Sequence, residues 1–599
     1  MGSYEYDFII IGGGTAGLVL ANRLTEDPAL KVLVIEAGAD QKDDPRVNVP
    51  GMWSALAKTS SDWAFTTTPQ DALAGRIMHA SQGRVLGGSS AINGLIFTPP
   101  PESNITGWAK LGNPGWEWPS FSKSMMKSFS LTDKTKQVSD GALQISYPDQ
   151  SDNQWFEIWK NTLNGLGISV TGDLFTGKAN GLIINPENIH PATKLRSYAL
   201  NAYLTPINDR ANLTVITQAA VERINFKQSD SGKAIAESVQ FVKDSEVITV
   251  TAGKEVILAA GGINSPMLLE KSGIGSAKLL KNLGIDVVVA NPNVGENLQN
   301  HVMVTVSFEV KEGLNTIDPL IRQEPAALAA AAAAYEKQSG PLATSNTSVT
   351  AQLPFPGIQT EEGKRDLDEL IGQTLDANIR DGSLTTPFDK AHKDFIRSVL
   401  YSTDEASGCY ITAPGWAGLA PDGSRAPPPG GNGNYFSVAL LSTHSLSRGS
   451  THITSKSASS PDGVIINPKY LSHPLDVEVF ARNLRQVETL FASEPLVSQL
   501  KPGGNRNPPA ASTGFFADLE NGREYVRNAA VGAQHYVGTC SMMPREMGGV
   551  VDPQLLVYGT ENLRVCDSSI IPLIPRANVQ AAVYGVAEHG ATIIKSSMN

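Results

Sequence analysis

The stretch GAQHYVGTCSMMP, residues 532–544, sets His535 five places before Cys540 among glycines and small residues. Three chemistries could use such a pair. A cysteine nucleophile needs its thiolate stabilised by the imidazole in a partly exposed, electropositive setting. A metal site needs further His, Cys or carboxylate ligands at suitable spacing. A lone imidazole serves as a base for chemistry supplied from elsewhere, and its ordinary pKa of ~6.5 suits that role. The small, apolar neighbours of Cys540 read as packed core, and the nine histidines form no ligand cluster in the sequence. Both facts weigh against the first two chemistries. The third depends on what the rest of the chain binds.

The elements that would position a bound group stand at the other end of the chain. In YDFIIIGGGTAGLVLANRLTEDPALKVLVIEAGAD, residues 7–11 read as a short buried strand. Gly12-x-Gly14-x-x-Gly17 follows and opens an amphipathic helix through Leu24 that includes Thr15 and Ala16, and a second apolar strand ends at Glu36 and Ala37. The glycines differ in what they do: Gly12 makes the tight turn, Gly14 lets backbone approach a pyrophosphate, and Gly17 allows close helix–strand packing. The helix N-terminus offers its unpaired N–H groups to phosphate. Glu36, 19 residues beyond Gly17, stands where an acid accepts hydrogen bonds from a ribose 2′-OH. Strand, motif, helix, strand and terminal acid together predict a nucleotide-binding βαβ unit, and the acid favours FAD or NAD without separating them.

Composition bounds the rest. The 599 residues are 41% hydrophobic and 18% charged, as in an ordinary globular protein long enough for several domains. A net charge of −11 excludes the basic surface that nucleic acid or an anionic membrane would require. No apolar run approaches the ~20 residues that cross a bilayer. The chain enters its first strand directly from MGSYEYDFIIIGGG, so the protein is expected to be intracellular, or secreted with its signal removed. Three Asn-x-Ser/Thr sequons, at Asn104, Asn212 and Asn346, lean toward a secreted glycoprotein. Three cysteines, Cys409, Cys540 and Cys566, are too few for a disulfide framework.

Four further stretches make the sequence recognisable: GRVLGGSSAINGLIFTPP (83–100), AAGGINSPMLLEKSGIG (259–275), HYVGTCSMMP (535–544) and LRVCDSSIIPLIPRANVQAAVYGVAE (563–588). They resemble the signatures of the GMC (glucose–methanol–choline) oxidoreductases, and NPNVGENLQNHV (291–302) and SLSRGSTHI (445–453) also resemble segments of that family. In look the chain is closest to aryl-alcohol oxidases and glucose-oxidase-like enzymes. The matches keep the family's order from residue 6 to about 592.

The resemblance implies an α/β fold. A Rossmann-like FAD-binding domain, discontinuous in sequence (1–50, 80–100, 195–310, 530–599), would carry a lid and substrate domain (51–79, 101–194, 311–529) whose antiparallel sheet is covered by helices. As sequence modules, the N-terminal one would cover about 6–320 and the C-terminal one about 440–592. It also implies that Asn93, Gly94, Leu95 and Ile96 line the isoalloxazine ring and that Val221 sets its backbone against the adenine. Asp567 would lie beside the ribityl and pyrophosphate portion, although a lone Asp after an apolar strand is most often a cap. Val579 and Gln580 would aim backbone N–H groups at flavin N1 and O2. His79 falls before the flavin loop, so FAD is expected to be held non-covalently.

By the same resemblance, the protein oxidises an alcohol, moving a hydride from the carbinol carbon to flavin N5 and the hydroxyl proton to His535. The second family position, a histidine in some members, is Asn578 here; an amide cannot take that proton but can position the substrate oxygen. The expected substrate is a small-molecule alcohol, primary and aromatic or from secondary metabolism, with O2 or another electron acceptor closing the cycle. A hydroxynitrile lyase using the same base, and a non-catalytic flavoprotein, are the alternatives. Arg576 could bind a substrate anion or make a structural ion pair. The Trp-rich GWAKLGNPGWEWPSF reads as loops over the flavin entrance, the alanine run 329–334 as a helix ending at Gly340–Pro341, and APDGSRAPPPGGNGNYF (420–436) as an irregular loop near the entrance.

Overall fold

The computed structural model describes residues 5–133, 136–150, 153–168, 171–380, 386–429, 431–457, 460–509, 514–576 and 578–598. Ala577, between Arg576 and Asn578, lies outside them, as does Gly430 of the Pro/Gly-rich loop.

Strand Glu5–Ile11 runs parallel to Val32–Ile35 on one side and to Glu246–Leu258 on the other. Leu213–Ile216 extends this sheet in parallel beyond Val32–Ile35, and Leu563–Val565 pairs in parallel with the end of Glu246–Leu258. The first half of Glu246–Leu258 instead pairs antiparallel with Ala234–Lys243, which pairs with Ala220–Gln228 to make a meander. Phe8 to Ile11 and Val32 to Ile35 are all buried, because a parallel sheet with helices on its faces hides both sides of each strand. Helix Thr15–Leu24 packs against the C-terminal helix Gln580–Ser597, so the two ends of the chain share one core.

A second sheet is antiparallel throughout, in the order Arg506–Asn507, Val302–Glu309, Tyr435–Ser442, Gly408–Ala413, Val349–Leu353, Lys178–Ile184, Thr171–Asp173. Strand alternation sends its side chains two ways. Val302, Val304, Val306, Phe308, Phe436, Val438 and Leu440 join the core that includes Phe480, Leu484, Val487 and Phe491 of helix Pro474–Phe491. Their neighbours Met303, Thr305, Ala439 and Leu441, with Ile411 and Ala413, face a cavity. The fold is thus mixed α/β, with helices on both sheets.

The Trp-rich segment differs from its expectation as entrance loops. Residues Glu102–Lys110 and Trp118–Met126 are helices, and Trp108 and Trp116 are fully buried. Trp108 donates from Nε1 to the Leu573 carbonyl (2.7 Å), and Trp116 donates to Pro553 (3.0 Å) while meeting the His589 ring edge-on at 4.6 Å. Trp118–Met126 lies so close to the C-terminal helix that a Cβ on Gly585 would stand 2.6 Å from Phe121. The aromatic content therefore serves core packing under the C-terminal helix. The alanine run forms helix Pro325–Tyr335 with proline in its first turn, as expected for a residue without an N–H.

Substituting Trp116→Ala should cost about 3–5 kcal/mol of stability, the usual range for emptying a buried Trp site. Thermal unfolding should show a clear fall in Tm. A variant that melts with the parent would show that this ring does not carry the packing of the C-terminal helix.

Candidate active site

The turn after Glu5–Ile11 is built for glycine. Gly12 sits at φ +108°, where a Cβ would stand 2.5 Å from the Ala259 carbonyl oxygen, and a Cβ on Gly17 would lie 1.9 Å from the carbonyl oxygen of Gly12. Helix Thr15–Leu24 therefore starts against the strand end, with Gly14 as its N-cap and no side-chain cap. Its first N–H groups, which have no intrahelical partner, open at Gly14, Thr15 and Ala16 into a cavity of about 1520 Å³. Glu36 closes the next strand at the same wall. Its Oε2 accepts from Gly13 N (2.8 Å) and its Oε1 from Gly38 N (2.7 Å). Burial raises its carboxyl pKa to about 7 against the pull of those bonds and of Arg84. Ala37 and Val221 line the cavity beside it.

The next wall is the Asn93–Ile96 turn. Asn93 Oδ1 accepts from Leu95 N (3.0 Å) and from Arg196 Nη1 (2.8 Å), while its Nδ2 donates to Gln580 Oε1 (2.7 Å). The same Gln580 oxygen accepts from Asn188 Nδ2 (2.8 Å), and Gln580 Nε2 donates to the Ile96 carbonyl (3.3 Å). Leu95 is thereby held at φ +69°, a left-handed position uncommon for a residue with a Cβ. Asp567 meets the cavity from the end of Leu563–Val565. It caps the turn at Ser568–Ile570 through Ser569 N (2.7 Å), and its other oxygen accepts from Gly261 N (2.8 Å) and Ser265 Oγ (2.6 Å). Burial pushes its pKa up.

His535 is half-buried on the cavity wall, and its backbone N donates to Asn300 Oδ1 (2.7 Å). Its Nδ1 lies 2.8 Å from Nδ1 of His301, and its Nε2 lies 3.4 Å from Asn578 Nδ2. Burial, and then the neighbouring His301, hold its pKa well below the ordinary histidine value, so the ring is neutral near pH 7. Cys540 is no partner for it. The thiol is fully buried, and burial pushes its pKa well above the ordinary range. Among the described residues no group of three or more His, Cys, Asp or Glu side chains could hold a metal ion. Arg576 pairs with Glu405 (3.0 Å) and donates to the Ala179 carbonyl, the structural alternative of its two readings. His79 lines the cavity with its Nε2 3.0 Å from Asp62.

One cavity therefore brings together Gly12, Gly14, Thr15, Ala16, Glu36, Ala37, Asn93, Gly94, Leu95, Ile96, Val221, His535, Asp567, Asn578, Val579 and Gln580. Gly17 stands behind this wall. Sequence reasoning passed over His301, Asn300, Asn188 and Arg196. His301 and Asn300 sit inside a segment already set apart, residues 291–302, yet nothing local links them to His535, 234 positions away from His301.

The residues present suit a dinucleotide with an anionic middle and a flat, electron-accepting end. Two helix N-termini without side-chain caps, at Gly14 and at Val579, open into the same cavity, and each favours negative charge. An acid stands at the strand end between the first of them and Val221.

The GMC oxidoreductase N-terminal family model matches residues 6–303 and the C-terminal one residues 445–587. The chain is 32% identical to a protein of Monascus purpureus named dehydrogenase mpl7, over 98% of this chain and 96% of that one. It superimposes with a TM-score of 0.85 on an FAD-dependent oxidoreductase from Chaetomium thermophilum, at 27% identity over 99% of both chains. A fungal aryl-alcohol oxidase gives a TM-score of 0.83 at 26% identity, again over 99% of both. With this cavity and these matches, the chain belongs to the GMC oxidoreductase family and is an enzyme whose cofactor is FAD.

Proposed function

We propose that the protein oxidises a primary alcohol, aromatic or from secondary metabolism, to the aldehyde, with His535 taking the hydroxyl proton at Nε2. The observation that carries this reading is the pairing of a half-buried imidazole with the Asn578 amide, 3.4 Å apart on the cavity wall. Bound FAD supplies the two-electron acceptor for the CH–OH carbon. His535 supplies a lone pair already free near pH 7, because burial keeps the ring unprotonated. Asn578 Nδ2 donates to the substrate oxygen and steadies the charge it gains as the proton leaves. The substrate class is supported by Met303, Ile317, Leu320, Ile321, Ile411, Trp416, Leu419 and Leu441, an apolar set with one indole that also excludes water. The helix Pro325–Tyr335 adds Leu328, and the Pro/Gly-rich loop adds Ser424 and Arg425 to the same wall.

For the cofactor, we assign the backbone of Gly14, Thr15 and Ala16 to the pyrophosphate, Glu36 to the ribose and Val221 to the adenine. Asn93 to Ile96 flank the ring system, and Asp567 faces the ribityl and pyrophosphate portion. Backbone N–H groups at Val579 and Gln580 face the pyrimidine edge of the flavin. The same reading divides the chain into the FAD-binding segments 1–50, 80–100, 195–310 and 530–599 and a lid and substrate domain formed by the rest. It leaves the flavin without a covalent tether.

The test is anaerobic. Aromatic primary alcohols should bleach the oxidised-flavin band of the purified protein, and air admitted afterwards shows whether O2 restores it. His535→Ala should slow the bleaching by about 10²–10⁴-fold, the usual size of general-base catalysis. Reduction at the parent rate in that variant would remove His535 from the mechanism. Cleavage of a cyanohydrin by a protein that no alcohol bleaches would turn the reading to the lyase.

The pH dependence follows from the direction of the His535 shift. A base with a depressed pKa stays competent until acid reaches that lowered value, so kcat/KM should hold its plateau through pH ~6.5, the ordinary histidine value. An acid limb centred at or above that pH in the rate profile would contradict a base already neutral there.

Glu36→Gln keeps the shape of the side chain but turns an NH2 toward the N–H of Gly13 or Gly38, both of which need an acceptor. Loss of such a buried bond costs about 1–3 kcal/mol. FAD should therefore dissociate roughly five- to hundredfold more readily, read as free flavin released on dilution. Unchanged retention would show that this acid does not hold the cofactor.

A further inference from the structure

We propose that His301 is a positioning residue that fixes the tautomer of His535, keeping its proton on Nδ1 and its lone pair on Nε2 toward the cavity; this rests on the reading of His535 as the base. The two rings stand nearly perpendicular, 87° between planes with centroids 5.0 Å apart, and meet Nδ1 to Nδ1 at 2.8 Å. A contact of that length between two neutral imidazoles needs one nitrogen to donate and the other to accept. The direction is set at the other nitrogen of His535. Asn578 Nδ2 stands 3.4 Å from Nε2 of His535, and an amide nitrogen only donates, so Nε2 is the acceptor and the hydrogen of the ring belongs on Nδ1. His301 Nδ1 must then present its lone pair to that hydrogen.

The arrangement is held by backbone as well as by the rings. Val302 and Met303 pair antiparallel with Gly532 and Val531. Ala533 N donates to the His301 carbonyl (2.8 Å), and His535 N donates to the side chain of Asn300 (2.7 Å). Both ends of the imidazole pair are therefore anchored to one strand junction. His301 is itself only 2% exposed, and burial holds its pKa at about 4, so it stays neutral with its lone pair available. When a proton arrives at Nε2 of His535, the Nδ1–H bond to His301 persists, and the new charge rests on a neutral acceptor. A histidine oriented by a carboxylate would instead face a full negative charge.

The test compares His301→Leu, which removes the acceptor, with His301→Asn, whose amide oxygen can accept from Nδ1–H, in the FAD-loaded protein. Anaerobic flavin reduction by alcohol should slow by at least about tenfold in His301→Leu and recover most of that loss in His301→Asn, the pattern of lost orientation at a base. A second readout needs no turnover. In protein labelled with ¹⁵N-histidine, the resonances missing from His535→Ala identify that ring, and they should report hydrogen on Nδ1 in the parent and a mixture of tautomers in His301→Leu. Parent-rate reduction in His301→Leu, equal slowing in both variants, or hydrogen on Nε2 of His535 in the parent would each overturn the proposal. The reading of His535 as base fails separately, when His535→Ala itself reduces its flavin at the parent rate. If His301→Leu does not fold, the parent spectrum and His301→Asn still decide.

Discussion

An imidazole set half-buried in the cavity wall, with only neutral partners among the described residues, is the constraint around which the rest is arranged. Taking a histidine out of water disfavours its charged form, and a single acid in contact would reverse that. His535 meets a second histidine at its Nδ1, an asparagine side chain at its backbone N–H and another at its Nε2, and no carboxylate among the described residues. Those three partners come from residues 300–301 and 578, so the sheet strand at Val302, the junction at Val531 and the start of the C-terminal helix must converge on one point. Neither sheet alone could bring them together. The packing of Thr15–Leu24 on Gln580–Ser597, and of Trp118–Met126 behind it, fixes where that last helix begins.

Charge is distributed along the cavity in a way that follows from the same burial. Two uncapped helix starts provide positive ends on a wall that also carries Arg84 and Lys271. Two acids on the wall, Glu36 and Asp567, share it with Glu222 and are raised in pKa by burial, while backbone and serine donors hold their oxygens in place. Those donors fix the acceptor geometry of each acid at the wall. The molecule as a whole carries −11, so attraction for a pyrophosphate comes from the oriented N–H groups and cations of this wall and not from the bulk field.

How much of this was legible depends on sequence distance. The βαβ unit reads directly because strand, glycines, helix and Glu36 are contiguous, and the steric roles given to Gly12 and Gly17 appear as contacts of 2.5 and 1.9 Å that a Cβ would make. His535 stood out by residue type, but what acts on it did not, because His301 touches it across 234 positions and no local spacing marks the pair. The Trp-rich stretch misled for a different reason. Aromatic content with glycine and proline nearby suits a loop or a buried helix equally. Here Pro119 sits in a first helical turn, where its missing N–H costs nothing, and Trp116 lies under His589 from the far end of the chain. Arg576 carried two readings until Glu405, 171 positions away, was placed beside it.

The two buried arginines near the site show why such pairs resist reading from residue type. Arg576 has its acid, and its charge ends in that bond. Arg196 has none within hydrogen-bond reach among the described residues: it donates to the Val47 and Ser90 carbonyls and to Asn93 Oδ1, and its Nη2 has no partner among them. Burial lowers its pKa only to about 10, so it stays protonated at neutral pH. An unneutralised guanidinium is costly in an interior, and it sits where its bond to Asn93 continues through Gln580 to the start of the C-terminal helix. The cation and the helix end therefore impose the same sign of potential on the Asn93–Ile96 turn. A fold that placed a positive charge there with no anion of its own is suited to a ligand that brings or acquires negative charge against that turn.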